Sequence, residues 1–115
     1  MRRIADIPLK LNDRLAIKAA TDLLLDTFPV EQVMLYGSKA SGQDTPESDI
    51  DLLVLTAYPL PWQERNAITD ALFDLELTYD VVLSTLVVAH NDWMNSQYSI
   101  LPIHREIDQH GVVLV

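Results

Sequence analysis

Two apolar runs, Val33 to Tyr36 and Ile50 to Leu55, carry their polar groups at the ends nearest each other in sequence: Gly37-Ser38 closes the first and Asp49-Ile50-Asp51 opens the second. A strand that ends in Gly-Ser can turn sharply and bring its backbone close to a ligand, with N–H groups at the start of the next helical turn, which makes a place for phosphate. Side chains alternate along the second run, so Asp49 and Asp51 share one face while Ile50, Leu52 and Val54 point to the other. The backbone origins of the two aspartates lie about 6.6 Å apart, and their carboxylates can converge further. At an effective dielectric near ~20 the repulsion is roughly 2–3 kcal/mol, so a pair held in a closed site favours a bound cation or a raised pKa. Oxygen ligands of this kind suit magnesium, which keeps several waters and binds through one or two carboxylates plus substrate phosphates. A phosphate-holding turn beside a magnesium-holding strand suggests chemistry on a nucleoside triphosphate.

The rest of the chain reads as support. Asn12 to Phe28 has the periodicity of an amphipathic helix, with Asn12 as N-cap, Ala16, Ile17, Ala20, Leu23, Leu24 and Phe28 on one arc, and Pro29 as its end. Gln32 to Tyr36 is the first strand, Ser38 to Ser41 a brief helix, Gln43 to Glu47 a polar loop, and Asp49 to Thr56 a central strand. Trp62 to Leu75 follows as a helix after Pro59 and Pro61, with Asp70 and Asp74 on its solvated side. A third strand is expected over Leu77 to Ser84, with Asp80 its one charge in an apolar run; a charge there needs a partner or a metal. Beside the second strand, Asp80 can join Asp49 and Asp51 around the same ions; otherwise it is a surface aspartate on an alternating edge. Leu86 to Tyr98 and Ser99 to His110 read as helical, with Gly111 as a stop, and Val112 to Val115 as a tail that can add a strand. His90, His104 and His110 form no recognisable ligand set, so zinc is not expected. Trp62 and Trp93 read as core or interface anchors, with the core the first expectation.

The length, 115 residues, fits one domain spanning 1–115, long enough to bury a real core. With 17 acidic against 8 basic side chains the net charge is −9, which repels a nucleic-acid backbone and argues against direct nucleic-acid binding. There is no cysteine, so disulfides and thiolate metal sites are excluded. Met1-Arg2-Arg3-Ile4 is not followed by an apolar leader segment, and no run approaches bilayer length, so a cytoplasmic location away from membranes is the expectation.

Gly37-Ser38-Lys39-Ala40-Ser41-Gly42, then a short loop and Ser48-Asp49-Ile50-Asp51-Leu52, resembles the signature of the minimal nucleotidyltransferases, small members of the DNA polymerase β superfamily. The resemblance implies an α/β (α+β) domain, a small mixed β-sheet with flanking helices in the polymerase β-like nucleotidyltransferase fold. It implies attack of a hydroxyl on the α-phosphorus of a nucleoside triphosphate, most simply ATP, with release of pyrophosphate. Two Mg2+ ions would be held by Asp49, Asp51 and Asp80, with Asp80 also helping to take the acceptor's proton. Gly37 and Ser38 would hold the triphosphate, with Lys39 either assisting or standing as a solvated surface lysine. One position departs from the pattern: Ser41 stands where the family often carries Arg, which removes a fixed charge able to steady phosphate. Stand-alone members of this size resemble the antitoxin partners of HEPN-domain ribonuclease toxins, which they silence by transferring AMP to a toxin tyrosine. The chain leaves little room for an acceptor-binding domain, so the acceptor is expected on another protein; a homo-oligomer is possible. Two alternatives remain open: a non-catalytic antitoxin module that neutralises its partner by occlusion, which Ser41 favours, and AMP transfer to a small hydroxylated compound of the aminoglycoside type.

Overall fold

In the computed structural model the described residues are 2–43, 45, 48–95 and 97–115, Gln97 by its backbone alone. Five strands form one sheet in the order β1-β5-β2-β3-β4: β1 is Arg2–Arg3, β2 Val30–Tyr36, β3 Ile50–Thr56, β4 Leu83–Ala89 and β5 Val112–Val113. β2 runs antiparallel to β3 and β5, whereas β3 and β4 are parallel. Parallel neighbours need a crossover, supplied by the helix α3, Trp62–Tyr79. The remaining helices are α1, Leu11–Thr27, the one-turn α2, Ser38–Ser41, then α4, His90–Asn95, and α5, Pro102–His110, with a 3-10 turn at Gln97–Ile100. The mixed sheet with flanking helices is the expected fold class, and the terminal tail does add a strand.

β3 lies inside the sheet between β2 and β4, and Leu52, Leu53 and Val54 have no exposed surface. Its alternation divides the core in two. Leu52 and Val54 join Val33 and Leu35 beneath Ile17, Ala20 and Leu24 of α1 and Ile68 and Leu72 of α3. Leu53 and Leu55 join Met34 and Val88 beneath Trp93 of α4 and Ile107 of α5. Each fully buried side chain of this kind contributes about 1.5–3 kcal/mol, so both faces of β3 are strongly fixed and its register cannot slip by one residue. Asp51, by the same alternation, belongs to the Leu53 face and opens just beyond the second core.

Several boundaries differ from the sequence reading. α1 begins at Leu11, and Asn12 is no cap; its side-chain amide donates to the Tyr79 carbonyl at 3.3 Å, tying the start of α1 to the end of α3. α3 does not stop at Leu75 but continues to Tyr79, because Leu75 and Tyr79 prolong the apolar arc of Ile68 and Leu72 over the core. The third strand therefore starts at Leu83 instead of Leu77 and carries on through Ala89, where helix was expected; α4 is confined to six residues. Trp93 is in the core, but Trp62, at the first turn of α3, is 68% exposed. Part of the expected polar loop, at residues 44, 46 and 47, lies outside the described residues. Among those described, no helix is long and apolar enough to cross a membrane.

Candidate active site

Tyr36, the last residue of β2, pairs with Asp51 across the antiparallel ladder, so the chain leaves the sheet at Gly37 level with that aspartate. Gly37 has φ 76° and ψ −156°, a combination open to glycine and costly for other residues. A Cβ built on it would fall 2.3 Å from Asp51 Oδ2 and 3.2 Å from its Cγ. The carboxylate thus rests on the backbone of the bend, in space that any side chain would fill. α2 then winds for one turn, with the N–H groups of Ala40 and Ser41 donating to the Gly37 carbonyl at 3.1 Å. Gly42 ends it in the left-handed region, its N–H donating to the Ser38 carbonyl. The hydroxyl of Ser41 donates to the same carbonyl at 3.3 Å, so this residue serves the turn where a family arginine would reach outward.

The approach to β3 is also fixed locally. The Thr45 N–H donates to Ser48 Oγ at 2.8 Å and the Ser48 N–H returns to the Thr45 carbonyl at 3.0 Å. Asp49 and Asp51 then emerge on one face, Asp49 exposed and Asp51 half-buried. Burial, and after it the negative charge of Asp49, raises the pKa of Asp51 above the ordinary aspartate value. Burial, and after it the charge of Asp51, raises that of the Tyr36 phenol. Two neighbouring carboxylates, one of them half-buried, on a backbone cradle with no Cβ, form a donor set that fits a hard divalent cation.

Asp80 is not brought to this pair. It lies past the end of α3, exposed, as the helix C-cap in the left-handed conformation with φ 54°. Among the described residues no three His, Cys, Asp or Glu side chains converge at a distance that could hold a metal ion. In the parallel register of β3 and β4 it is Ser84 that stands opposite Asp51. Asparagine tolerates the left-handed conformation well, so Asp80→Asn is expected to keep the melting temperature and to change any nucleotidyl transfer by less than about threefold, since surface changes away from special features are worth within ~0.5 kcal/mol. A loss as deep as that of an Asp51 variant would instead give Asp80 the role that the resemblance implied.

Lys39 also departs from expectation. Its ammonium is buried, the residue 2% exposed, and lies 2.8 Å from Asp13 Oδ2 of α1. Asp13, Tyr36 and Ser84 are the neighbours that the sequence reading did not single out. The available signal was strongest for Asp13, a charged residue in line with the buried arc of Ala16, Ile17 and Ala20.

Comparison with known proteins decides what this arrangement belongs to. Residues 18–114 match the family model described as Polymerase beta, Nucleotidyltransferase. The chain is a member of that family. A relative from Methanocaldococcus jannaschii, provisionally named protein adenylyltransferase MJ0604, is 28% identical over 106 residues, covering 90% of this chain and 99% of the relative. The crystal structure of a toxin–antitoxin with AMP-PNP superimposes with a TM-score of 0.62 at 19% identity, over 92% of this nucleotidyltransferase and 73% of the matched chain. A tri-AMPylated Shewanella oneidensis HEPN toxin in complex with its MNT antitoxin matches with a TM-score of 0.56 at 20% identity, over 89% of this chain and 71% of that one. At such identities the structural matches establish the shared fold, a polymerase β-like nucleotidyltransferase domain.

Proposed function

We propose that this nucleotidyltransferase is a magnesium-dependent protein adenylyltransferase that acts as an antitoxin, transferring AMP from cytoplasmic ATP to a tyrosine hydroxyl of a HEPN-domain toxin. The observation that carries the reading is the seating of the Asp51 carboxylate directly on the Gly37 backbone, with Asp49 beside it. That contact supports a cation site on these oxygens beside a bend that would take phosphate. The name of the Methanocaldococcus relative supports protein adenylylation, and the AMPylated toxin complex supports the class of acceptor.

In this reading Gly37 and Ser38 hold the triphosphate through backbone N–H groups and a hydroxyl, while Asp49 and Asp51 hold up to two Mg2+ ions. When bound, the cations would stabilise charge on the entering and leaving oxygens. The acceptor oxygen bonds to the α-phosphorus as the bond from that phosphorus to the pyrophosphate oxygen breaks; the hydroxyl gives its proton to a carboxylate base, and pyrophosphate departs. The exposed face of Asp49 leaves the entrance open for an acceptor that comes on another protein.

The test is to incubate the protein with α-labelled ATP, Mg2+ and a co-expressed HEPN partner. Label on the partner, removed by Tyr→Phe at the acceptor, is the expected result; no label in the presence of a tight complex contradicts it. That second outcome is the mark of a non-catalytic module acting by occlusion, a reading favoured by Ser84 standing opposite Asp51 where a further acid would serve two ions better.

A further inference from the structure

Lys39 and Asp13 stand 26 residues apart and meet at 2.8 Å with side chains 1% and 9% exposed. Lys39 belongs to α2, a helix of four residues that follows the Gly37-Ser38 bend. One turn fixes several backbone angles for very few hydrogen bonds and cannot hold its own direction. Asp13 belongs to α1, a helix of 17 residues whose next turn, Ala16 and Ile17, is locked into the core at 0% and 1% exposure. A buried ion pair is no general source of stability, since desolvation offsets most of the attraction and apolar substitutes of like volume often do as well. What it does fix is geometry: an ammonium buried against a carboxylate of another helix admits few orientations of the short helix that carries it.

We propose that Lys39 and Asp13 are positioning residues that set the angle at which α2 and the Gly37-Ser38 bend leave the sheet, and that Lys39 serves the triphosphate only through that bend. The nucleotide part of this proposal rests on the function proposed above; the anchoring part does not. It also departs from both roles that the sequence offers Lys39, a cation assisting at the triphosphate and a solvated surface lysine.

The two roles differ at Asp13, which lies on the far side of the pair from the bend. If Lys39 were a phosphate ligand, Asp13→Asn would release it and triphosphate binding would hold or tighten. As a positioning pair, Asp13→Asn and Lys39→Met each weaken binding of a fluorescent N-methylanthraniloyl-ATP with Mg2+ by about tenfold, the scale of a small misplacement of a binding group. The double variant is then no weaker than Lys39→Met alone, because both changes remove the same tie. Exchanging the charges, Asp13→Lys with Lys39→Asp, restores at least half of the loss. Where a single variant fails to fold, Asp13→Leu with Lys39→Met keeps the volume buried and shows the same weakening with the melting temperature preserved.

Amide hydrogen exchange supplies the readout that does not need nucleotide. Exchange at Ala40 and Ser41 should quicken by about tenfold in Lys39→Met, a local opening, while Leu52 to Val54 keep their protection. Unchanged exchange at Ala40 and Ser41 overturns the proposal, as does an Asp13→Asn variant that binds the analogue as tightly as the parent. If the parent protein binds no analogue, the proposed function fails, and exchange alone decides the anchoring.

Discussion

Replacing Asp51 by asparagine is expected to reduce nucleotidyl transfer by about a thousandfold or more, the equivalent of several kcal/mol of charge stabilisation at the reacting phosphate. The fold should survive, because Asp51 is half-buried at the mouth of the site and the amide has almost the same shape. Without cations the variant should in fact melt higher than the parent near neutral pH. Burial, and then Asp49, raise the pKa of Asp51 in the folded protein, so between the unfolded and the folded value the native state holds a proton that the unfolded chain has already released. Above both values the ionised group costs stability. Stability from this group is fully present below the unfolded aspartate value and is lost as pH rises through the folded one. The gap between variant and parent should therefore open on going from acid to neutral pH and close at the acid end. Added Mg2+ should raise the melting temperature of the parent and not that of Asp51→Asn. Thermal melts against pH in chelator and in Mg2+ check all of this; a variant that melts lower at neutral pH would mean that Asp51 has a stabilising partner instead of a repelling one.

Gly37→Ala should be nearly as damaging to function and worse for stability. The new methyl carbon would lie 2.3 Å from Asp51 Oδ2, and the carboxylate can turn aside, but the backbone at φ 76° and ψ −156° has no such escape. That region costs a residue with a Cβ about 1–3 kcal/mol. The expected result is a loss of stability of this size in chemical denaturation, with nucleotide binding weakened by about a hundredfold, since both the bend and the displaced carboxylate are misplaced. Binding at parental strength would show that the bend does not hold the triphosphate.

Much of this could be read from the sequence, and the failures share a cause. The alternation of Asp49 and Asp51 against Ile50, Leu52 and Val54 holds because β3 is packed on both faces, and packing of that kind enforces the pleat. The bend at Gly37 was legible because few residues other than glycine occupy such angles. Asp80 was misread because Leu75 to Tyr79 fits two periods at once: apolar and β-branched enough for a strand, yet with Leu75 and Tyr79 at the spacing that extends α3. Tertiary packing against α1 settles it for helix, and the strand begins three residues after Asp80. Lys39 is a different failure. Nothing near residue 39 announces a carboxylate that arrives from α1, so a long-range ion pair was invisible even though Asp13 sat in an apolar arc. Strand β1, at Arg2–Arg3, was missed because two residues carry no pattern, and its pairing with Val112–Val113 depends on where the other end of the chain lands.

The proposed function requires the Asp49/Asp51 pair and the Gly37-Ser38 bend to act as one site for a nucleotide and its cation. Calorimetric titration of ATP into the protein tests this most directly, in Mg2+ and in chelator, with Asp49→Asn/Asp51→Asn as control. Binding that requires Mg2+ and disappears in the double variant is the predicted result. Binding of equal strength in chelator, or one that the double variant keeps, would contradict it.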